Sequence, residues 1–291
     1  MRLLVILILS MLIYSCAEDP VMEEEKPRDL RDIPYEPIAH SIDIPQDFPQ
    51  LEQPADNMMT LDGVLLGKEL FYDPIMSIDS SISCASCHFP EKSFTDQLAR
   101  SPGVNGDLTK RSSMSLLNVG FYYNGLFWDG RSPSLEEQAI HPIIDDIEMD
   151  NTWEEVIKRL RRSQHYPEMF RKAFGIENTD GIDRDLTTKA IAQFEKTLVS
   201  SGNSKYDKVI RGQAVFTDQE QLGFDIYFDR DPELPDGECF HCHSAPLFTN
   251  NDYMNNGLVA AEEFEDFPDK GHGSFTGQLI DNGKFRVPTL R

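Results

Sequence analysis

The most apolar stretch of the chain lies at its start. One charge, Arg2, precedes Leu3-Leu4-Val5-Ile6-Leu7-Ile8-Leu9 and then Met11-Leu12-Ile13. That run is shorter than the roughly 20 residues that cross a bilayer, and its basic beginning suits an export signal. It closes on Ile13-Tyr14-Ser15-Cys16, with an aliphatic residue three before a cysteine and a small residue just before it, which is a lipobox pattern. Residues 1–15 read as a lipoprotein signal peptide. Cys16 reads as the lipidated first residue of a periplasmic protein held at a membrane by its lipid. Residues 17–50 are rich in Glu, Asp and Pro, hold few aromatics and show no sustained period, so they read as an acidic tether.

Beyond residue 50 the spacing is helical. Residues 61–71 place Leu61, Val64, Leu65 and Lys68 on one face and end at Asp73-Pro74. Ser134-Leu135-Glu136-Glu137 is a capping box that predicts a short helix stopping at His141-Pro142. Residues 151–174 carry Trp153, Val156, Ile157 and Leu160 at helical intervals, with Glu154 and Glu155 in the first turn. Residues 186–198 repeat the pattern through Ala190, Ile191 and Phe194 and break at Ser200-Ser201-Gly202, and Thr217-Asp218-Gln219-Glu220 opens a further helix. Strand alternation is absent, so the fold class is mainly α with long loops.

The 291 residues contain 27 Lys+Arg against 50 Asp+Glu, a formal charge of −23. That field repels nucleic acid and favours a macromolecular partner with a basic face. Five cysteines are too few for a disulfide scaffold at this length.

Four of them lie in Cys84-Ala85-Ser86-Cys87-His88 and Cys239-Phe240-His241-Cys242-His243. Cys-x-x-Cys-His is the pattern of covalent haem c attachment. Two thiols three residues apart sit about one helical turn apart, so both can form thioethers to one porphyrin, and the next histidine is directed at the iron. A zinc ribbon wants its pairs roughly 15–20 residues apart, whereas Cys87 and Cys239 are separated by 152. A thioredoxin-like pair lacks its βαβ context, and disulfides leave both histidines unexplained. Two covalent haems follow. One open iron and one closed by protein ligands make the simplest device for two-electron peroxide reduction.

Around these motifs the chain resembles the bacterial di-haem cytochrome c peroxidases and the related MauG proteins. The resemblance is carried by Leu66-Gly67-Lys68-Glu69-Leu70-Phe71-Tyr72-Asp73-Pro74, Phe127-Trp128-Asp129-Gly130-Arg131, Leu135-Glu136-Glu137-Gln138-Ala139 and Phe285-Arg286-Val287-Pro288-Thr289-Leu290-Arg291, and it runs from about Pro54 to the last residue. It implies an N-terminal peroxidatic haem domain over residues 51–204, with His88 as proximal ligand. It also implies a C-terminal electron-transfer haem domain over residues 205–291, with His243 as ligand. By the same resemblance Trp128 is the aromatic relay between the haems. Glu148, ten residues after Gln138, is the distal acid/base, and Gln138 is a second pocket residue.

The chain departs from that pattern at three places. No histidine lies between His88 and His141, where many of the peroxidases hold one that caps the peroxidatic iron; the first haem is therefore expected to be open even when oxidised. Ser112 follows Arg111 where the family tends to have Asn, which weighs against the calcium bound between its domains. The sequence stops at Arg291 where the family continues, so a C-terminally incomplete chain lacking the usual sixth ligand of the second haem is expected; Met254, the one methionine after Cys242, is read as ordinary packing. His40, His141, His165, His241 and His272 have no assigned role, though His141 lies near the expected pocket.

The leading expectation is an oxidoreductase: a cytochrome c peroxidase reducing hydrogen peroxide with electrons from a basic small cytochrome or cupredoxin. The alternatives are a MauG-like oxidase of a protein or organic substrate and a di-haem electron carrier. A second copy of the chain is a further candidate partner.

Overall fold

The computed structural model describes residues 26–291, so the expected signal peptide, Cys16 and the first part of the expected tether lie outside the described residues. The described chain is largely helical: α1 (Leu61–Tyr72), α2 (Leu135–Gln138), α3 (His141–Ile144), α4 (Trp153–Arg162), α5 (Tyr166–Phe174), α6 (Arg184–Lys196), α7 (Lys205–Ile210), α8 (Asp218–Tyr227), α9 (Cys239–Cys242) and α10 (Gly273–Thr276). A two-stranded antiparallel sheet, β1 (Tyr253–Met254) with β2 (Phe285–Arg286), pairs Tyr253 with Arg286. No helix among the described residues is long and apolar enough to cross a membrane.

The α1–α6 pair is the axis of the core. Thr60 caps α1 by accepting from the Gly63 amide, and Asp183 caps α6 by accepting from Leu186. The face α1 buries is Gly63, Leu66, Gly67, Leu70 and Phe71, and not the expected Leu61, Val64, Leu65 face; Leu65 is 54% exposed. Glycine explains the difference. A Cβ on Gly67 would stand 1.9 Å from the Ala190 carbonyl oxygen, so the helices meet backbone against backbone at a position with no hydropathy of its own. Leu66, Leu70, Ala190 and Ile191 then join Val156 and Leu160 of α4 and Phe170 of α5 in one apolar cluster.

A polar seam runs beside that cluster. Lys196 reaches the Glu136 carboxylate at 2.9 Å with both side chains largely covered. Asn57 donates to the same carboxylate and accepts from Gln193, whose own oxygen takes the Thr60 amide. Residues 53–60, α2 and α6 are thereby fastened by groups that would each be costly to bury alone.

Three further expectations are corrected. Residues 151–174 form two helices, because Ser163 ends α4 and Pro167 fits only in the first turn of α5. Pro142 plays the same part in α3, so His141-Pro142 starts a helix where a stop was expected. Within the stretch read as a tether, Leu30 and Phe48 are buried, and the Leu30 amide bonds to the Glu177 carbonyl. Isolated apolar anchors of this kind leave no periodic trace.

Gly67→Val should cost at least about 1–3 kcal/mol of stability by forcing α1 from α6, whereas Leu65→Ala should stay within about 0.5 kcal/mol. Denaturant or thermal unfolding followed by circular dichroism checks both.

Candidate functional site

Each Cys-x-x-Cys-His motif is wound into a single turn that sets its histidine. Cys84–Ser86 is a 3₁₀ turn opened by a reciprocal pair, in which the Ser86 hydroxyl accepts from the Ser83 amide, and the His88 amide closes onto the Cys84 carbonyl at 3.1 Å. In α9 the His243 amide closes onto Cys239 in the same way at 2.9 Å. Both cysteines of each motif are unpaired and half-buried.

The histidine rings are oriented by carbonyls. His88 Nδ1 stands 2.7 Å from the Phe94 carbonyl oxygen. That oxygen only accepts, so Nδ1 carries the proton and Nε2 keeps its lone pair. Ser93 and Phe94 both adopt positive φ, 58° and 57°, to turn that carbonyl inward. His243 Nδ1 stands 3.1 Å from both the Phe248 and the Pro288 carbonyls, which leaves its Nε2 outward as well. Burial lowers the pKa of His88, against the opposing pull of Phe94, and so favours the neutral, ligating form. Burial first, then the charges of Glu195 and Glu148, push the Cys84 thiol up, and burial does the same at Cys87. A thioether has no proton to lose, so a surrounding that penalises thiolate costs an attached haem nothing. Both sites thus supply two sulfurs and one free imidazole nitrogen of fixed tautomer, the donor set haem c requires.

Glu148 lies within electrostatic reach of the first motif. Its carboxyl makes no hydrogen bond to the described residues, yet its charge is felt at both Cys84 and Cys87. Burial, reinforced by Asp145 and opposed by Arg131, raises it to about 7. The loop where a capping histidine was missing lies against it. Val104 donates to the Glu148 carbonyl at 2.8 Å, Asn105 donates to Asp150 at 2.9 Å, and Gly103 passes so near Ile147 that no side chain would fit. Gln138 stands half-buried at the end of α2, and no hydrogen bond joins it to Glu148. His141 packs edge-on against Phe127, its ring 5.7 Å away.

Trp128 belongs to the second site. A cavity of about 490 Å³ is lined by Trp128, Cys242, His243, Met254, Phe285 and Arg286. The indole N–H donates to the Ser112 carbonyl at 2.9 Å, and the Trp128 carbonyl accepts from the Arg286 amide at 2.9 Å. Asp129 beside it holds Arg111 and Arg131, and Arg111 also holds Asp269. Ser112, where a calcium donor was in question, is thus engaged through its carbonyl by the indole. A larger open groove of about 1310 Å³ beside Trp153 and Arg161 contains none of these residues.

Several contributors carried no functional label in the sequence. The Phe94 carbonyl is a backbone group and has no sequence signature. Arg131 lay inside a recognised stretch without a role; here its guanidinium covers the Phe127 ring at 3.5 Å and tempers Glu148. Tyr253 and Arg286 join at the Asn124 carbonyl.

The family model for di-haem cytochrome c peroxidases matches residues 62–215, over half the chain. The cytochrome c551 peroxidase of Nitrosomonas europaea is 36% identical over 234 residues, 78% of this chain and 64% of that protein. The methylamine utilization protein MauG of Methylorubrum extorquens is 34% identical over 242 residues, 82% of this chain and 64% of that protein. The chain therefore spans just under two thirds of the length of these relatives. A crystal structure of a MauG-like protein associated with microbial copper homeostasis superposes with a TM-score of 0.77 at 31% identity, covering 87% of this chain and 75% of that one.

The double variant Cys239→Ser/Cys242→Ser, matured in a host competent for cytochrome c assembly, should carry one covalent haem where the unaltered chain carries two. Intact-protein mass spectrometry counts them.

Proposed function

The chain belongs to the di-haem cytochrome c peroxidase family, and on that premise we propose that it reduces hydrogen peroxide to water with electrons from a small, basic redox protein. The observation that carries the proposal is Glu148: a half-buried carboxyl held near neutrality whose charge reaches both cysteines of the first motif.

Haem c, when bound, would supply the iron that takes the oxidant and the redox centres that pass the donor's electrons to it. His88 would ligate that iron through Nε2 while Phe94 holds the ring from behind. Ionised Glu148 would take the proton from the inner peroxide oxygen and return it to the outer one, so that water rather than hydroxide leaves. Its pKa near 7 suits both halves of that transfer. Arg131 keeps the ionised form accessible, and Gln138 is the candidate to orient the oxidant. With no histidine in residues 101–106, this loop would leave the peroxide face of the first site open. Trp128, fixed at its indole N–H and its carbonyl and lining the second cavity, would carry electrons between the sites. Residues 51–204 and 205–291 are the two haem domains of this proposal, and His243 would be the second iron's ligand. Lipidation at Cys16 would hold the enzyme at a periplasmic membrane surface. The charge of −23 would draw in a basic donor, with a rate that falls as salt rises.

One observation favours a second reading, MauG-like oxidation of a protein or organic substrate. The loop at residues 101–108 is tied down against Glu148 by Val104 and offers no capping ligand. A long-lived oxidised state after peroxide addition, with slow turnover on cytochrome donors, would select that reading.

Glu148→Gln should lower peroxide-dependent oxidation of reduced cytochrome c by about 10²–10⁴-fold with the haem spectra retained. In the unaltered enzyme activity should rise with pH through about 7 as Glu148 ionises, and that limb should vanish in the variant. Stopped-flow kinetics across pH checks both.

A further inference from the structure

A second buried carboxyl lies behind the first site and has no part in the proton transfer just described. Glu195, near the end of α6, is only 4% exposed, and its Oε2 meets no hydrogen-bond donor. In the turn and a half before it α6 commits Ala190 and Ile191 to one apolar cluster and Ala192 and Phe194 to another, and Cys84 packs against both. The carboxyl therefore sits in an apolar seam against the first thioether position.

Few charges reach it. Glu136 on α2 repels a second negative charge there, and Lys196 on its own helix attracts one. Lys196 is already bound to Glu136 at 2.9 Å, so the seam has one cation for two carboxyls. From α1, Tyr72 packs on the neighbouring Phe194, its phenol pushed up by burial. From the haem-binding turn, the Cys84 sulfur feels the Glu195 charge directly. Burial, with Glu136 adding and Lys196 opposing, raises Glu195 to about 8.

We propose that Glu195 is the proton acceptor coupled to reduction of the first haem. One electron delivered to the iron, by the redox partner or by dithionite through mediators, is matched by one proton passing from solvent to the Glu195 carboxylate. The O–H bond forms as the iron is reduced, so the summed charge of the haem and the Glu195 carboxyl does not change. An uncompensated electron in so apolar a place would meet the ionised carboxylate across the Cys84 sulfur, and proton uptake removes that repulsion. Glu195 acts through the haem and not on peroxide, so it is a positioning residue for charge. The inference rests on a haem at Cys84, Cys87 and His88, and it stands or falls separately from the peroxide chemistry.

The test is spectroelectrochemical titration between about pH 6 and pH 10 of the Glu148→Gln holoprotein, which lacks the other raised carboxyl in reach of Cys84, so that the range brackets Glu195 and excludes ordinary carboxyls. The first haem's potential should fall as pH rises through the Glu195 window, by up to the tenfold-per-unit limit of about 59 mV for one electron, while the second haem's potential stays level. Glu195→Gln should flatten that slope with both haems retained. Glu136→Gln, which removes the repelling neighbour and frees Lys196, should shift the window to lower pH. In that Glu148→Gln background, an equal slope after adding Glu195→Gln, a level potential with Glu195 present, or an unmoved window after adding Glu136→Gln would each overturn the proposal. Should Glu195→Gln fail to load haem, the other two measurements decide it.

Discussion

The whole arrangement depends on one type of hydrogen bond, from histidine Nδ1 to a backbone carbonyl. At His88 the partner is Phe94, and at His243 it is shared between Phe248 and Pro288. Such a bond fixes the tautomer, stops the ring from turning and leaves Nε2 as the only ligating atom. The chain invests local strain to make it, since Ser93 and Phe94 take up left-handed backbone geometry in succession. At the second site the Pro288 carbonyl comes from a segment 45 residues away. The histidine there is thus oriented by the same strand-and-loop layer that holds Trp128.

The second organising feature is the way a strongly acidic chain distributes buried charge. Asp129 is balanced by Arg111 and Arg131, and Glu136 by Lys196. Glu148 and Glu195 behave differently: burial dominates both, each has another carboxyl pushing in the same direction, and each is raised toward neutral pH. Both lie within electrostatic reach of Cys84. A redox centre that handles protons needs groups of this kind, because only a carboxyl short of full compensation can change its state when a neighbouring charge changes.

The two haem-attachment motifs were legible in the sequence, because Cys-x-x-Cys-His encodes its own geometry over five residues. Helix starts were legible too: Thr217 and Ser134 cap α8 and α2 where their spacing predicts. What escaped was information held between segments. Gly63 and Gly67 define the contact face of α1 by what they lack, so the hydropathy pattern pointed to the wrong side. Glu195 has the appearance of a helix-surface acid until α2 and the haem-binding turn close over it. Leu30 and Phe48 anchor residues whose composition is that of a tether. Arg131 was read only as part of a motif, and its influence on Glu148 appears once residues 131 and 148 are folded together.

In the proposed function two histidine-ligated haems differ in one respect: the first leaves a coordination position open beside Glu148. Electron paramagnetic resonance of the fully oxidised holoprotein tests this most directly. A high-spin ferric signal alongside a low-spin one is the predicted result, and a spectrum in which both haems are low-spin would contradict it.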